Sequence, residues 1–162
     1  MSARIAPGTG TASVATGLPV LDHLLGVLAR AGRFDLSLEL APADAEAEVA
    51  EAGRELGEAL APLLRANGAP GHGSAVLPAD EALAQVALEA SGRALVASNV
   101  DLTAARAGGL QSDLAARFLQ SLAAAAGLTL HVRLIDGEDS QHVLEAIFKA
   151  LGAALAQAAD RP

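Results

Sequence analysis

"QHVLEAIFKALGAAL", residues 141–155, and "EAEVAEAGRELGEAL", residues 46–60, decide how this chain folds, because they read as two copies of one element. Laid over each other with a shift of 95, Leu56, Gly57, Ala59 and Leu60 fall on Leu151, Gly152, Ala154 and Leu155, and Gly32 falls on Gly127. Around each copy the order is the same: a helix, a glycine, a strand, a loop and a second helix. Such a unit has an apolar face to bury, and its twin offers a matching one. The repeat therefore predicts an α+β fold of two similar sheet-plus-helix halves related by a pseudo-two-fold, with helices covering one face of each sheet.

Working outward, "TGLPVLDHLLGVLARAG" (16–32) carries apolar residues at helical spacing from Pro19, and Gly32 ends it. "FDLSLEL" (34–40) alternates as a strand. Residues 44–68 form a second helix, acidic in its first turns as the helix dipole prefers. A Gly/Pro loop leads into a short strand at "GSAVLP", and two strand-like runs flank "SGR" within 80–102 as a hairpin. A helix over 111–127, a strand over 128–136 and a last helix over 139–158 complete the pattern. Residues 1–16, rich in Gly, Thr, Ser and Ala, read as a flexible arm or a weak edge strand. The division is an arm at 1–16, a shortened first half at 17–70 and a second half at 71–162, in one compact unit.

Composition narrows the function. Three Phe and no Tyr or Trp leave no platform for stacking bases, and a net charge of −8 repels phosphate backbones, so nucleic acid is excluded as a partner. With no cysteine there is no disulfide, thiolate ligand or thiol nucleophile. No run approaches the length of a membrane span, and the first residues lack the continuous apolar core of a signal peptide; a cytoplasmic protein with no membrane partner is expected. Much of the 52% hydrophobic content is alanine, which gives helix propensity with little apolar area, so closely approaching helices are expected.

His142 and Glu145 stand three apart on one face of the last helix, a metal-ligand spacing that also suits a plain hydrogen-bonded pair. The repeat puts Ala47 and Ala50 in their places in the first half. His72 sits in a Gly-rich loop and His131 in a strand, so neither is expected as a ligand. Glu81 reads as a solvated strand entry, and the acidic run from Asp44 to Glu55 as an exposed helix face.

"TGLPVLDHLL", "GSAVLPADEALAQVALEASGR", "GLTLHVRL" and "HVLEAIFKA" together resemble the imidazoleglycerol-phosphate dehydratase family, a lyase of histidine biosynthesis, over most of residues 16–158. The resemblance implies two α+β halves of the ribosomal-protein-S5-domain-2-like type, assembly into homo-oligomers, and two Mn2+ ions held chiefly by H-H-x-x-E motifs. In that chemistry a metal on the imidazole nitrogen stabilises the charge left when a proton leaves carbon and water is lost. Here the second motif reads Gln141, His142, Glu145 and the first reads Glu46, Ala47, Ala50. His23 of "LDH" is kept, while its repeat counterpart lies near Arg117. The resemblance thus leaves His23, His142 and Glu145 as residual metal ligands, Glu145 as the catalytic carboxylate, and Arg93 of "SGR" with Lys149 as phosphate contacts. The N-terminal strands and the S-x-K tail of the family are not matched. The expectation is a family member with reduced or no Mn2+ and little or no turnover. Two alternatives stand beside it: a catalytically dead scaffold or regulatory partner of an active paralogue, and a binder of a small phosphorylated metabolite or other anion.

Overall fold

Each of two sheets lays its apolar face on a pair of helices, and the two helix pairs meet in the middle. The computed structural model describes residues 3–100, 106–107 and 110–159. The first half comprises β1 (Ala3–Pro7), β2 (Ala12–Ala15), α1 (Pro19–Gly32), β3 (Phe34–Glu39) and α2 (Ala45–Arg65). The second comprises β4 (His72–Ala79), β5 (Ala82–Glu89), β6 (Leu95–Ser98), the two-residue pair β7 (Arg106–Ala107) and β8 (Leu110–Gln111), α3 (Ser112–Ala126), β9 (Thr129–Asp136) and α4 (Ser140–Ala158). The sheets run β1-β3-β2 and β4-β5-β9-β6. In both, the strand between the two helices is central, with an antiparallel neighbour on one side (β1, β5) and a parallel one on the other (β2, β6). That is the expected pair of related α+β halves.

Close approach joins them. α1 packs on α4 and α2 on α3. A Cβ on Gly152 would land on the Leu28 carbonyl, and one on Gly57 would fall 2.9 Å from the Leu122 carbonyl and 2.6 Å from the Ala125 Cβ. Bare backbone is what lets these helices touch. The two contacts are pseudo-equivalent and correct the repeat. Gly57 and Gly152 are 95 apart, but Leu28 and Leu122 are 94 apart. The helix-ending residue in left-handed conformation is Arg33 (φ 53) in the first half and Gly127 (φ 70) in the second, so Gly127 corresponds to Arg33 and not to Gly32. Sheet parity requires this: the buried residues Phe34, Leu36 and Leu38 then match buried Leu128, Leu130 and Val132, whereas a slip of one residue would turn every side chain to the opposite face. All three phenylalanines are buried, and the Phe118 and Phe148 rings lie 5.5 Å apart in the core.

Three expectations change. Of the two readings of residues 1–16, the flexible arm gives way to the edge strand, and there are two of them: Ala3–Pro7 and Ala12–Ala15 lie on either side of β3. Asp35 holds the turn between them by accepting the Thr9 and Thr11 backbone N–H groups at 3.1 and 3.2 Å, which also keeps its carboxyl below the usual range. The strands around "SGR" are not a hairpin: β9 lies between β5 and β6, and β5 pairs instead with β4 through a turn at Asp80 (φ 53). Residues 101 and 102 of that reading, like residues 160–162 of the second half, lie outside the described residues. Finally, the acidic face of α2 is not all exposed. Glu48 is buried, accepting the Ala43 N–H at 3.2 Å beneath the loop at Gly17, and Glu55 is buried beside Arg54, which also pairs with Glu51 and Glu58. Among the described residues no helix is long and apolar enough to cross a membrane.

Gly152→Ala should force α1 and α4 apart and lower stability by about 1–3 kcal/mol. Gly26→Ala, whose added methyl would meet only the Arg30 guanidinium at 3.7 Å, should be neutral or stabilise by about 0.4–1 kcal/mol. Urea denaturation midpoints of the two variants check this.

Candidate functional site

The stretch "TGLPVLD" sets the start of α1 and with it the position of His23. Pro19 begins the helix at a position where its missing N–H costs nothing. Asp22 reaches back over the turn and accepts from the Thr16 backbone N–H at 2.9 Å and the Thr16 hydroxyl at 2.6 Å. α4 begins at the Asp139 N-cap, whose carboxylate accepts from the backbone N–H groups of Gln141 and His142; Asp44 does the same for Ala47 at the start of α2, 95 residues earlier.

The packing of α1 on α4 brings His23 and Glu145 together, Nε2 to Oε2 at 2.9 Å. The Gln141 amide donates to the same oxygen at 3.3 Å. Burial pushes the Glu145 carboxyl up, but the bonds from His23 and Gln141 outweigh it and hold it below its ordinary value. His142 does not join them. Its Nδ1 lies 2.6 Å from Glu81 Oε1 and its Nε2 lies 3.2 Å from Asp80 Oδ2, both in the β4–β5 turn. Glu81 also accepts the Asp139 and Glu138 backbone N–H groups, and these bonds with that of His142 lower its carboxyl to about 2. Glu81 in turn raises the His142 ring above its ordinary value, with Asp139 and Asp80 adding to the effect. The strand entry that looked merely solvated is therefore the anchor of His142, a pairing of residues 61 apart that no local pattern announces.

Lys149, one turn beyond Glu145, donates to the Pro78 carbonyl at 2.7 Å. Arg93 is elsewhere. Its backbone is tied to Ser91, and Ser91 to Thr129 at the start of β9. Pro78 and Leu83 lie level with Asp136 at the far end of that strand, so about 20 Å separate Arg93 from Lys149 along the sheet. One chain does not bring the two phosphate candidates together. His72 and His131 are exposed strand residues away from the helix groove.

At the pseudo-equivalent place between α2 and α3, Arg117 stands for His23 and pairs with Glu46 at 2.7 Å. Among the described residues no group of three or more His, Asp or Glu side chains is arranged to hold a metal ion.

The family model for imidazoleglycerol-phosphate dehydratase matches residues 16–155. The imidazoleglycerol-phosphate dehydratase of Clostridium botulinum (strain Kyoto / Type A2) is 37% identical over 158 residues, covering 95% of this chain and 81% of that protein. The dehydratase of Moorella thermoacetica is 42% identical over 156 residues, 93% of this chain and 79% of that protein. The Staphylococcus aureus imidazoleglycerol-phosphate dehydratase crystal structure superposes with a TM-score of 0.84 at 29% identity, over 96% of this chain and 91% of that one. The Pyrococcus furiosus enzyme in complex with (S)-C348 gives 0.87 at 27%, over 99% and 88%. The fold is that of a two-half α+β lyase architecture. The chain belongs to the imidazoleglycerol-phosphate dehydratase family.

The His142–Glu81 bridge gives a pH signature. Glu81, lowered in the folded state, contributes stability above its ordinary value of 4.5 and loses it as pH falls toward 2. His142, raised in the folded state, contributes fully below its ordinary value of 6.5 and loses it as pH climbs through its raised value. The bridge should therefore stabilise most between about pH 4.5 and 6.5. Melting temperature against pH should fall on both sides of that window, and Glu81→Gln should flatten the profile.

Proposed function

We propose that this chain is a divergent dehydratase-family protein that keeps the family's architecture but holds too few donors for two Mn2+ ions, so that its own turnover of imidazoleglycerol phosphate is very low or nil. The observation that carries this is a pair of polar contacts between the helices at corresponding ends of the two halves, in which Arg117 takes the place of His23 while Ala50, not Glu46, takes the place of Glu145. In one, His23 meets Glu145; in the other, Arg117 meets Glu46. A guanidinium is always protonated and offers no lone pair, so it cannot replace an imidazole as a ligand. Ala47 and Ala50 add no donors, and His142 is engaged by Glu81 and Asp80.

The residues thus do not fit a two-metal centre within the chain. What is left is a residual set, His23, His142 and Glu145, with Glu145 as the reactive carboxylate and Lys149 and Arg93 as separate anion contacts. Loss of a single supporting group around a metal typically costs about 10–100-fold in affinity or activity, and several are missing together. We also propose that the protein assembles with copies of itself: β1 and β2 are the edges of the described first sheet, and an uncovered edge favours pairing with a neighbour.

Protein purified in the presence of manganese and dialysed should carry well under one Mn2+ per chain by elemental analysis, with turnover of imidazoleglycerol phosphate near background. Two tightly held ions per chain, or turnover at the level of an intact family member, would overturn the reading. Light scattering should give a mass above that of a single 16.1 kDa chain.

A further inference from the structure

We propose that the outer edge of β1, with the flank of α2 beside it, docks an extended strand of another polypeptide, antiparallel to β1, with a small residue opposite Ile5 and a Lys or Arg four residues further on. The second half supplies the template. β5 has β4 on its outer side, whereas among the described residues its counterpart β1 has no strand there. Ile5 lies opposite Leu36 and Leu88 opposite Leu130, so Ile5 corresponds to Leu88 and Ala3 to Val86. β4 places Gly73 opposite Leu88 and Ala75 opposite Val86. Under that cover Val86 and Leu88 are buried. Ala3 and Ile5, without it, are only half-buried.

The backbone of the edge is ready to pair. The Gly8 N–H donates to the carbonyl of Arg33, the next residue along the β1–β3 register, at 2.8 Å. Bonded pairs alternate in an antiparallel ladder, so Ala6 and Arg4 also face β3, and the backbone groups of Ala3, Ile5 and Pro7 face outward. β5 has the same parity: the Ala90 N–H donates to the Gly71 carbonyl at 2.7 Å, and Leu88 and Val86 turn to β4. The edge of β1 thus offers the N–H groups of Ala3 and Ile5 and three carbonyls, Pro7 having no N–H.

The flank of α2 sets the side chains. On α4, a Cβ on Gly73 would land on the Ala154 carbonyl and 2.9 Å from the Gln157 Cβ, and Lys149 donates to the Pro78 carbonyl. The shift of 95 turns these three helix residues into Ala59, Pro62 and Arg54. Ala59 and Pro62 form an apolar seat with room for only a small residue above it. Arg54 has no strand carbonyl to reach and pairs instead with Glu51, Glu55 and Glu58. That leaves this flank with three carboxylates to one guanidinium, and Glu55 Oε1 is buried with no hydrogen-bond partner among the described residues. Lys149 marks the level of Pro78 on α4, so on an added strand the position of Leu77, four beyond that of Gly73, comes level with Arg54 and Glu55. A Lys or Arg there would satisfy the orphaned oxygen and offset the acidic surplus.

A second copy is the wrong shape for this edge. α2 packs on β1 as α4 packs on both β5 and β4, so α2 overhangs the place of the added strand. Pairing β1 with β1 would bring two α2 helices to the same place on one face. A bare strand brings no helix with it. Pairing between copies is thereby left to β2, and the docking site depends neither on self-assembly nor on the absence of turnover.

The test uses the full chain and a synthetic peptide with the sequence of residues 71–79, GHGSAVLPA, carrying Leu77→Lys. Saturable binding at one site per chain is expected by fluorescence anisotropy, with amide exchange at Ala3 and Ile5 slowed at least tenfold by the peptide. The peptide with leucine retained should bind at least tenfold more weakly. Glu55→Gln should weaken binding of the lysine peptide at least tenfold, as should Ile5→Pro, which removes an outward N–H and none that faces β3. Circular dichroism checks that both variants fold, and the exchange measurement on the unaltered protein stands whatever they do. No saturable binding, protection at Ala12 and Val14 of β2 in place of Ala3 and Ile5, or an Ile5 amide already protected without peptide in a dimer seen by light scattering would each overturn the proposal.

Discussion

Helix backbones touching through glycine are the constraint on which the rest of this molecule depends. The core is built largely from alanine and leucine, and thin alanine surfaces cover little area unless the helices that carry them come very close. Gly152 against Leu28 and Gly57 against Leu122 supply that closeness at two pseudo-equivalent places. Once the spacing of α1 and α4 is set there, the remaining contacts along the same pair are no longer free. His23 is brought to Glu145, and a groove of ≈ 400 Å³ lies beside them between the two helices.

The two helix contacts share a frame but not a chemistry. Between α1 and α4 the polar pair is imidazole and carboxylate, groups that can exchange a proton or share a cation. Between α2 and α3 it is guanidinium and carboxylate, a pair complete in itself. The fold survives such a change because packing, not the polar pair, holds the helices: the ion pair is half-exposed and worth little on its own. Architecture and reaction chemistry are thus carried by different residues on the same helices, and one can drift while the other stays.

His142 illustrates how neighbouring residues on one helix can serve different ends. The α4 N-cap places His142 and Glu145 on one side, as their spacing requires, yet Glu145 turns toward α1 and His142 toward the β4–β5 turn. Helical spacing fixes the direction in which a side chain leaves the backbone. The partner it finds is fixed by what the sheet brings alongside, here the carboxylates of Asp80, itself in left-handed conformation, and Glu81.

The helices, most of their apolar faces and the duplication were legible in the sequence, because 3.6-residue periodicity, Pro19 at the first turn of α1 and the acidic first turns of α2 are local rules that act within a few residues. So was the membership of the family, carried by "LDH", "SGR" and "EAIFKA" together. The family's candidate residues could be named from the same motifs, but their partners could not. That β9 enters between β5 and β6, that Asp35 fastens the turn at Thr9 and Thr11, that the repeat slips from 94 to 95 between its strand and its second helix, and that Arg93 lies a strand's length from Lys149 were decided by tertiary structure. These are contacts between residues far apart in the chain, and they are selected by how whole surfaces fit, a property no single segment contains.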